Sequence, residues 1–253
     1  MVVYTRVEGQ DWEQKMSDKS KTVGILGGTG PAGRGFAVRL AEAGYSTVIG
    51  SRSVERGEEI VAEVLASWPD RDLPLTGGDN EKAASCDIVV VATPWEGAKA
   101  TVAALREVIE GSGTVNGTAS GTASEPKIVL SMCNALVRID GEFQPLILPR
   151  GSIAESIQAA LPGAKVAATM HHVPAKELGM LDEPVDCDVL ICADDATAAS
   201  VAAELVEAVP GLRPLYVGGL SCAAPVEAFT PVLLQLNVLN KTRVGLRFTG
   251  LPE

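Results

Sequence analysis

Aromatic side chains are scarce: Phe, Trp and Tyr together make up 4% of the chain. A stacking platform for nucleobases needs more of them. Positive charge is short as well, with 21 Lys and Arg against 32 Asp and Glu and a formal net charge of −11. That balance excludes the basic footprint of a general nucleic-acid binder and docking on anionic lipid. An acidic ligand must then be met by local cations and backbone N–H groups. No uninterrupted apolar run reaches the roughly 18 residues of a membrane span, and residues 1–21 hold no apolar stretch of the secretory-signal kind. The five cysteines (Cys86, Cys133, Cys187, Cys192, Cys222) contain no C-x-x-C pair. Cys187 and Cys192 stand five apart in a predicted strand, so their side chains face opposite sides. A disulfide framework and a metal site are therefore not expected, and a reducing cytoplasm fits best. Tyr4, Tyr45 and Tyr216 are followed four residues on by Glu8, Ile49 and Leu220. No Y-x-x-x-K exists, which excludes the mechanism of the short-chain dehydrogenases.

What is present is an alternation. With 253 residues, 46% of them hydrophobic, and 26 glycines, the composition is that of an α/β protein. Residues 1–21 are polar and read as a mobile leader, of which 1–15 are expected to be dispensable. Strand Thr22–Leu26 is followed by a Gly-rich turn and a helix over Ala32–Ala43, with Gly44 where a C-terminal cap belongs. Strand Ser46–Gly50, helix Val54–Ser67, a short helix capped by Asn80, and strand Asp87–Ala92 come next. Thr93-Pro94-Trp95-Glu96 reads as a capping box with Pro at the first helical position, opening a helix to about Ile109. Gly111–Pro126 is low in complexity, with Gly-Thr-Ala-Ser repeated at Gly117 and Gly121. Then come strand Lys127–Met132, a hairpin turning at Asp140-Gly141, a helix capped by Ser152 and Glu155, and strand Lys165–Met170. A smaller α/β unit follows: strand Val189–Ala193, helix Ala196–Val209, strand Arg213–Val217 and a long helix from Pro225 to Asn240. The pattern predicts a Rossmann-type doubly wound parallel sheet over 22–175 and a smaller C-terminal α/β domain over 176–253. Ligands of such sheets bind beyond the carboxyl ends of the strands.

The first such turn reads Gly28-Thr29-Gly30-Pro31-Ala32-Gly33. Strand, G-x-G-x-x-G and helix stand in the order a dinucleotide site requires. The first glycine makes the turn, the second admits the pyrophosphate, and the third lets helix pack on strand. The second strand ends at Ser51-Arg52, 21 residues after Gly30, where an NAD site would carry a carboxylate. A hydroxyl, Arg52 and, one helical turn on, Arg56 suit the 2′-phosphate of NADP instead. Thr93, Pro94 and Trp95 follow a strand and should border the nicotinamide. His171 and His172, the only histidines, follow another; in extended chain at most one of them faces the cleft. No paired nucleophile and base stands out, so the partner suggested is itself a hydride carrier, for which positioning dominates.

The segments GILGGTGPAGRG, GSR, DIVVVATPWE, MHHVPA, DVLICADD, GLRPLYVGGL and VEAFTPVLLQLN, in that order, resemble the deazaflavin-dependent NADP oxidoreductases, the NADPH:coenzyme F420 oxidoreductases. The resemblance implies hydride transfer between NADP(H) and F420, and a C-terminal domain closing the deazaflavin cleft. It implies pyrophosphate at Thr29–Ala32, the 2′-phosphate at Ser51, Arg52 and Arg56, nicotinamide at Thr93, Pro94 and Ala175, and deazaflavin at His171 and Val173. His171 is expected to position rather than to act as an essential acid or base. A homodimer or higher homo-oligomer is expected with it. The segment Leu130–Leu136 departs from the family pattern after its Ser131. Competing readings are an NADPH-dependent reductase of metal chelates or flavin, and a non-enzymatic NADP(H)-sensing module.

Overall fold

The computed structural model describes residues 19–111 and 125–251; the expectations for the leader before Lys19 and for most of the repeat loop lie outside them. In chain order the elements are β1 (Val23–Leu26), α1 (Pro31–Glu42), β2 (Thr47–Ser51), α2 (Val54–Ser67), β3 (Leu75–Asp79), α3 (Asn80–Ala84), β4 (Ile88–Val91), α4 (Trp95–Ala104), α5 (Arg106–Glu110) and β5 (Ile128–Ser131). They continue with β6 (Leu136–Ile139), β7 (Glu142–Pro145), α6 (Ile153–Ala160), β8 (Lys165–Ala168), α7 (Ala175–Leu178), β9 (Cys187–Ala193), α8 (Ala196–Glu207), β10 (Leu212–Gly218), a 3₁₀ turn at Leu220–Cys222 and α9 (Ala223–Asn240).

Eight strands form one sheet in the order β10-β9-β8-β5-β4-β1-β2-β3. The six strands from β3 to β8 are mutually parallel, which is the doubly wound order with its crossing point between β1 and β4. β9 and β10 are parallel to each other but antiparallel to the rest. They join through two residue pairs only, Ala167 with Ala193 and Ala168 with Cys192. The chain after Ala175 thus extends the same sheet, and most of β9 runs on past the end of β8. Two apolar layers cover the two faces. Ile25, Phe36, Leu40, Ile60 and Val189 lie in one; Leu26, Val102, Ile109, Ile157 and Val226 lie in the other. Cys187 and Cys192 fall in different layers, as their spacing predicts.

Several boundaries differ for local reasons. β3, LTGGD, has no apolar alternation to announce it. It forms because Gly57 of α2 packs directly on Gly77 and Gly78; a Cβ on Gly57 would lie 2.3 Å from the Gly78 carbonyl oxygen. Asp79, not Asn80, caps α3, accepting from Lys82 N. The Thr93 capping box does not form: Pro94 stands at the N-cap, α4 starts at Trp95, and no side chain caps it. Thr93 is one residue too early, and its hydroxyl is buried without a hydrogen-bond partner among the described residues. The helix expected to run to Ile109 breaks at Leu105 (φ −100°, ψ 8°) into α4 and α5. Ser152 does cap α6, accepting from Glu155 N at 3.0 Å, and Asp140 and Gly141 make the hairpin with φ of +50° and +90°. Among the described residues one helical stretch, Leu220–Asn240, is long and apolar enough by length and composition to cross a bilayer. It carries a buried carboxylate, Glu227, that accepts from Ile153 N and Ala154 N of α6 at 2.8 and 3.0 Å.

Candidate functional site

The Gly-rich loop sits where the sheet order reverses. Gly27 takes φ +66°, and a Cβ there would meet Thr93 Cα at 2.9 Å, so the turns after β1 and β4 are in contact. Gly28 N donates to Gly50 O at 2.9 Å, joining the loop to the end of β2. A Cβ on Gly33 would meet Gly28 Cα at 2.9 Å and Ala92 Cβ at 3.0 Å, so helix and strand close only on glycine. At Gly30 the space is open, the nearest atom being 3.8 Å away. Gly30 is also the N-cap of α1, with Pro31 at N1 and no side-chain cap. Helix starts leave orphan N–H groups and positive partial charge. The amides at Ala32 and Gly33 are therefore offered outward, and the loop fits a phosphate group. Asn80, from α3, steadies the turn by accepting from Gly27 N at 3.0 Å.

Ser51 is buried at the end of β2, and Arg52 is exposed beside it. Among the described residues Arg52 has no ion pair, whereas Arg56 is held by Glu59 at 2.5 Å on an exposed face of α2. That carboxylate raises the Arg56 pKa.

Beyond β8 the chain turns sharply. Met170 adopts φ +64°, an uncommon conformation for a side-chain-bearing residue. His171 and His172 therefore do not follow strand alternation, and both residues line one cavity of about 520 Å³. The kink removes the extended chain on which the expectation that at most one would face the cleft rested. The cavity brings together Ala32 of α1, the 171–175 turn, Asn134, and Leu233 and Val238 of α9. Thr93 and the β2 end border the Gly-rich loop, and neither they nor Pro94 line this cavity. Its charged lining is cationic, Lys176 and Arg243, in a chain of formal charge −11; Arg243 also reaches Glu177 at 3.1 Å.

Burial drives both imidazoles toward the neutral form. Burial lowers the His171 pKa to about 3, with the neighbouring His172 adding to the effect. Burial also lowers that of His172, while the Val226 carbonyl opposes it. His172 Nε2 donates to that carbonyl at 2.8 Å, and its ring meets Phe229 edge-on. His171 Nδ1 lies 3.1 Å from Asn134 Oδ1, and its Nε2 is buried with no partner among the described residues. Val173 is buried next to it. Cys133, at the end of β5, gives its thiol to the Val91 and Thr93 carbonyls, and burial pushes its pKa up to about 12, so it is no nucleophile. Sequence reasoning passed over Asn134 and Thr230 and read Asn80 only as a helix cap; of the three only Asn134 carried a site signal, by lying in the segment that departs from the family pattern. No group of three or more potential metal ligands occurs among the described residues.

Residues 22–120 match the family described as NADP oxidoreductase, coenzyme F420-dependent. The F420-dependent NADP reductase of Methanothermobacter thermautotrophicus is 35% identical over 238 residues, 91% of this chain and 96% of the relative. This chain belongs to the F420-dependent NADP reductases. The F420-dependent NADP reductase of Methanocaldococcus jannaschii is 34% identical over 90% of this chain and 98% of its own length. The fold agrees: a crystal structure from Arthrobacter sp. FB24, provisionally named an F420-dependent NADP reductase, superposes with a TM-score of 0.68 at 24% identity, covering 90% of this chain and all of that one.

Proposed function

We propose that this chain transfers a hydride between NADP(H) and coenzyme F420, with the two bound on either side of Ala32 and Ala175. The observation that carries the reading is the joint cavity. The start of α1, which closes the phosphate loop, and the His171–Ala175 turn line one space. Bound together, the two coenzymes supply the whole redox step, a hydride with its electron pair passing from one ring to the other.

The residues do the rest. Gly28, Thr29, Gly30, Pro31, Ala32 and Gly33 hold the pyrophosphate through the loop and the uncapped start of α1. Ser51 and Arg52 receive the 2′-phosphate; Arg56 joins them by leaving Glu59 for a doubly charged partner, which is a stronger one. Thr93, Pro94 and Ala175 hold the nicotinamide. His171 and Val173 hold the deazaflavin. His171 works by position: at a pKa of about 3 it is neutral through the physiological range. Segment 176–253 acts as a closing unit, since Leu233, Leu234, Arg243 and Val244 complete the cavity. The five cysteines are unpaired, in keeping with a reducing cytoplasm, and Phe229, Val232, Leu236 and Leu239 expose an apolar stripe on α9 suited to a homodimer or higher homo-oligomer.

The test is the deazaflavin absorbance on mixing enzyme, F420 and NADPH. Bleaching with NADPH and little with NADH is expected. Absence of turnover with F420, alongside reduction of free flavin or a ferric chelate, would overturn the assignment.

A further inference from the structure

The cluster behind His171 is not used by the reading above. Asn134, after β5, and Thr230, in the middle of α9, meet at this ring. Asn134 Nδ2 donates to the His171 carbonyl at 3.3 Å. The Thr230 hydroxyl lies 3.0 Å from that carbonyl and 3.0 Å from Asn134 Oδ1. The carbonyl oxygen can only accept, so it fixes which end of the Asn134 amide faces it. Oδ1 must then face His171 Nδ1, and an amide oxygen also only accepts. His171 Nδ1 therefore carries the proton, and Nε2 is left as a bare acceptor. It is buried, it has no partner among the described residues, and His171 is one of the residues that line the cavity. An unmet acceptor in such a place costs stability unless a ligand meets it.

We infer that Asn134 and Thr230 are positioning residues: they lock His171 as its Nδ1–H tautomer, so that Nε2 takes an N–H or O–H donor from the ring bound in the cavity. The choice of ligand rests on the functional reading above; the tautomer does not. The lock also discriminates. A ligand presenting only oxygen acceptors at this edge would face a lone pair and be rejected. Thr230 ties the arrangement to α9, so the orientation of the ring depends on both halves of the chain.

Two histidines in the chain make the test direct. Nitrogen NMR of protein labelled in its imidazoles separates the tautomers. His171 should appear as Nδ1–H with a bare Nε2, and His172 as Nε2–H, assigned with His172→Gln. Adding F420 should move the bare nitrogen toward the hydrogen-bonded position, and adding NADPH alone should not. Thr230→Val and Asn134→Ala should blur the His171 tautomer and raise the KM for F420 roughly two- to tenfold, the scale of one net hydrogen bond, with the KM for NADPH unchanged. Thr230→Ser should restore both. Finding the His171 proton on Nε2 in the parent protein would overturn the inference, whatever the function. A correct tautomer with a nitrogen that F420 leaves unmoved would overturn the ligand half. If F420 is not turned over at all, the functional reading falls and the tautomer still stands or falls on its own spectrum.

Discussion

Arg52 is the side chain on which we propose that cofactor choice turns. It stands exposed at the end of β2 with no ion pair among the described residues, while Arg56 already has Glu59 at 2.5 Å. Arg52→Ala should weaken NADPH by about 1.5–3 kcal/mol, the range for a hydrogen bond to a charged group, and leave NADH nearly unchanged; a fluorescence titration of both measures it. Two other single residues contribute opposite slopes to the pH dependence of stability. Native His171 titrates at about 3 against an ordinary 6.5, so between those values the unfolded chain binds the extra proton and stability falls as pH drops. Native Glu227 titrates at about 7 against 4.5, burial outweighing its two backbone donors. The native chain therefore holds the extra proton there, and stability falls as pH rises through that window. The slopes oppose between 4.5 and 6.5, each at most about 1.4 kcal/mol per pH unit. Urea midpoints at pH 5 and pH 6.5 should show Glu227→Gln gaining stability with rising pH relative to the parent, and His171→Gln losing it.

At the scale of elements, glycine contacts decide more than apolar pattern. Gly57→Ala would drive a methyl into the Gly78 backbone, at 2.3 Å from its oxygen. The expected loss is about 1–3 kcal/mol, as for other overpacked sites, read as a drop in melting temperature. Because α2 carries Arg56, NADPH affinity should fall with it. The same contact explains why β3 was hidden from sequence reasoning: Leu-Thr-Gly-Gly-Asp lacks alternation, and only the partner helix makes it a strand. Elements with local signals were plain. Helix α2 runs over Val54–Ser67 as its spacing predicts, and the Asp140-Gly141 turn and the Ser152 cap are formed. The Thr93 motif misled because a capping box is a matter of register, and Pro94 shifted the helix start by one residue. The Gly-rich loop was legible because its glycines act locally. The clamp of Asn134 and Thr230 was not, since its members are 96 residues apart and meet only through the fold.

On the scale of the whole molecule, the C-terminal segment is tied to the rest by the sheet, by helix packing and by side-chain contacts, those of Glu227 and Thr230 on α9 among them. The sheet joins through two residue pairs. Helix α8 packs across β5, β8, β9 and β10. Arg39 of α1, buried, sends its guanidinium into the 177–183 turn, donating to the Leu178 carbonyl at 2.9 Å and the Glu183 carbonyl at 2.7 Å, among others. Arg39→Met should cost roughly 3 kcal/mol or more, because it removes the guanidinium donor from the Leu178, Leu181 and Glu183 carbonyls; denaturant unfolding gives the number. The apolar stripe of α9 is the other whole-molecule feature. Leu239, 70% exposed, should when changed to Asp leave turnover per chain intact and shift the mass seen by light scattering toward the single chain.

The Arg39 contact reaches further than stability. Helix α1 begins at the phosphate loop and, two turns on, grips the turn that follows the His171–Ala175 segment. One stiff rod thus spans the two places where the coenzymes would lie. The gap between their rings is then a built dimension of the folded chain, like the spacing of two jaws cut from one block. A change that loosens Arg39 would widen the play between the jaws before it emptied either of them, and the speed of transfer would suffer while both coenzymes still bound.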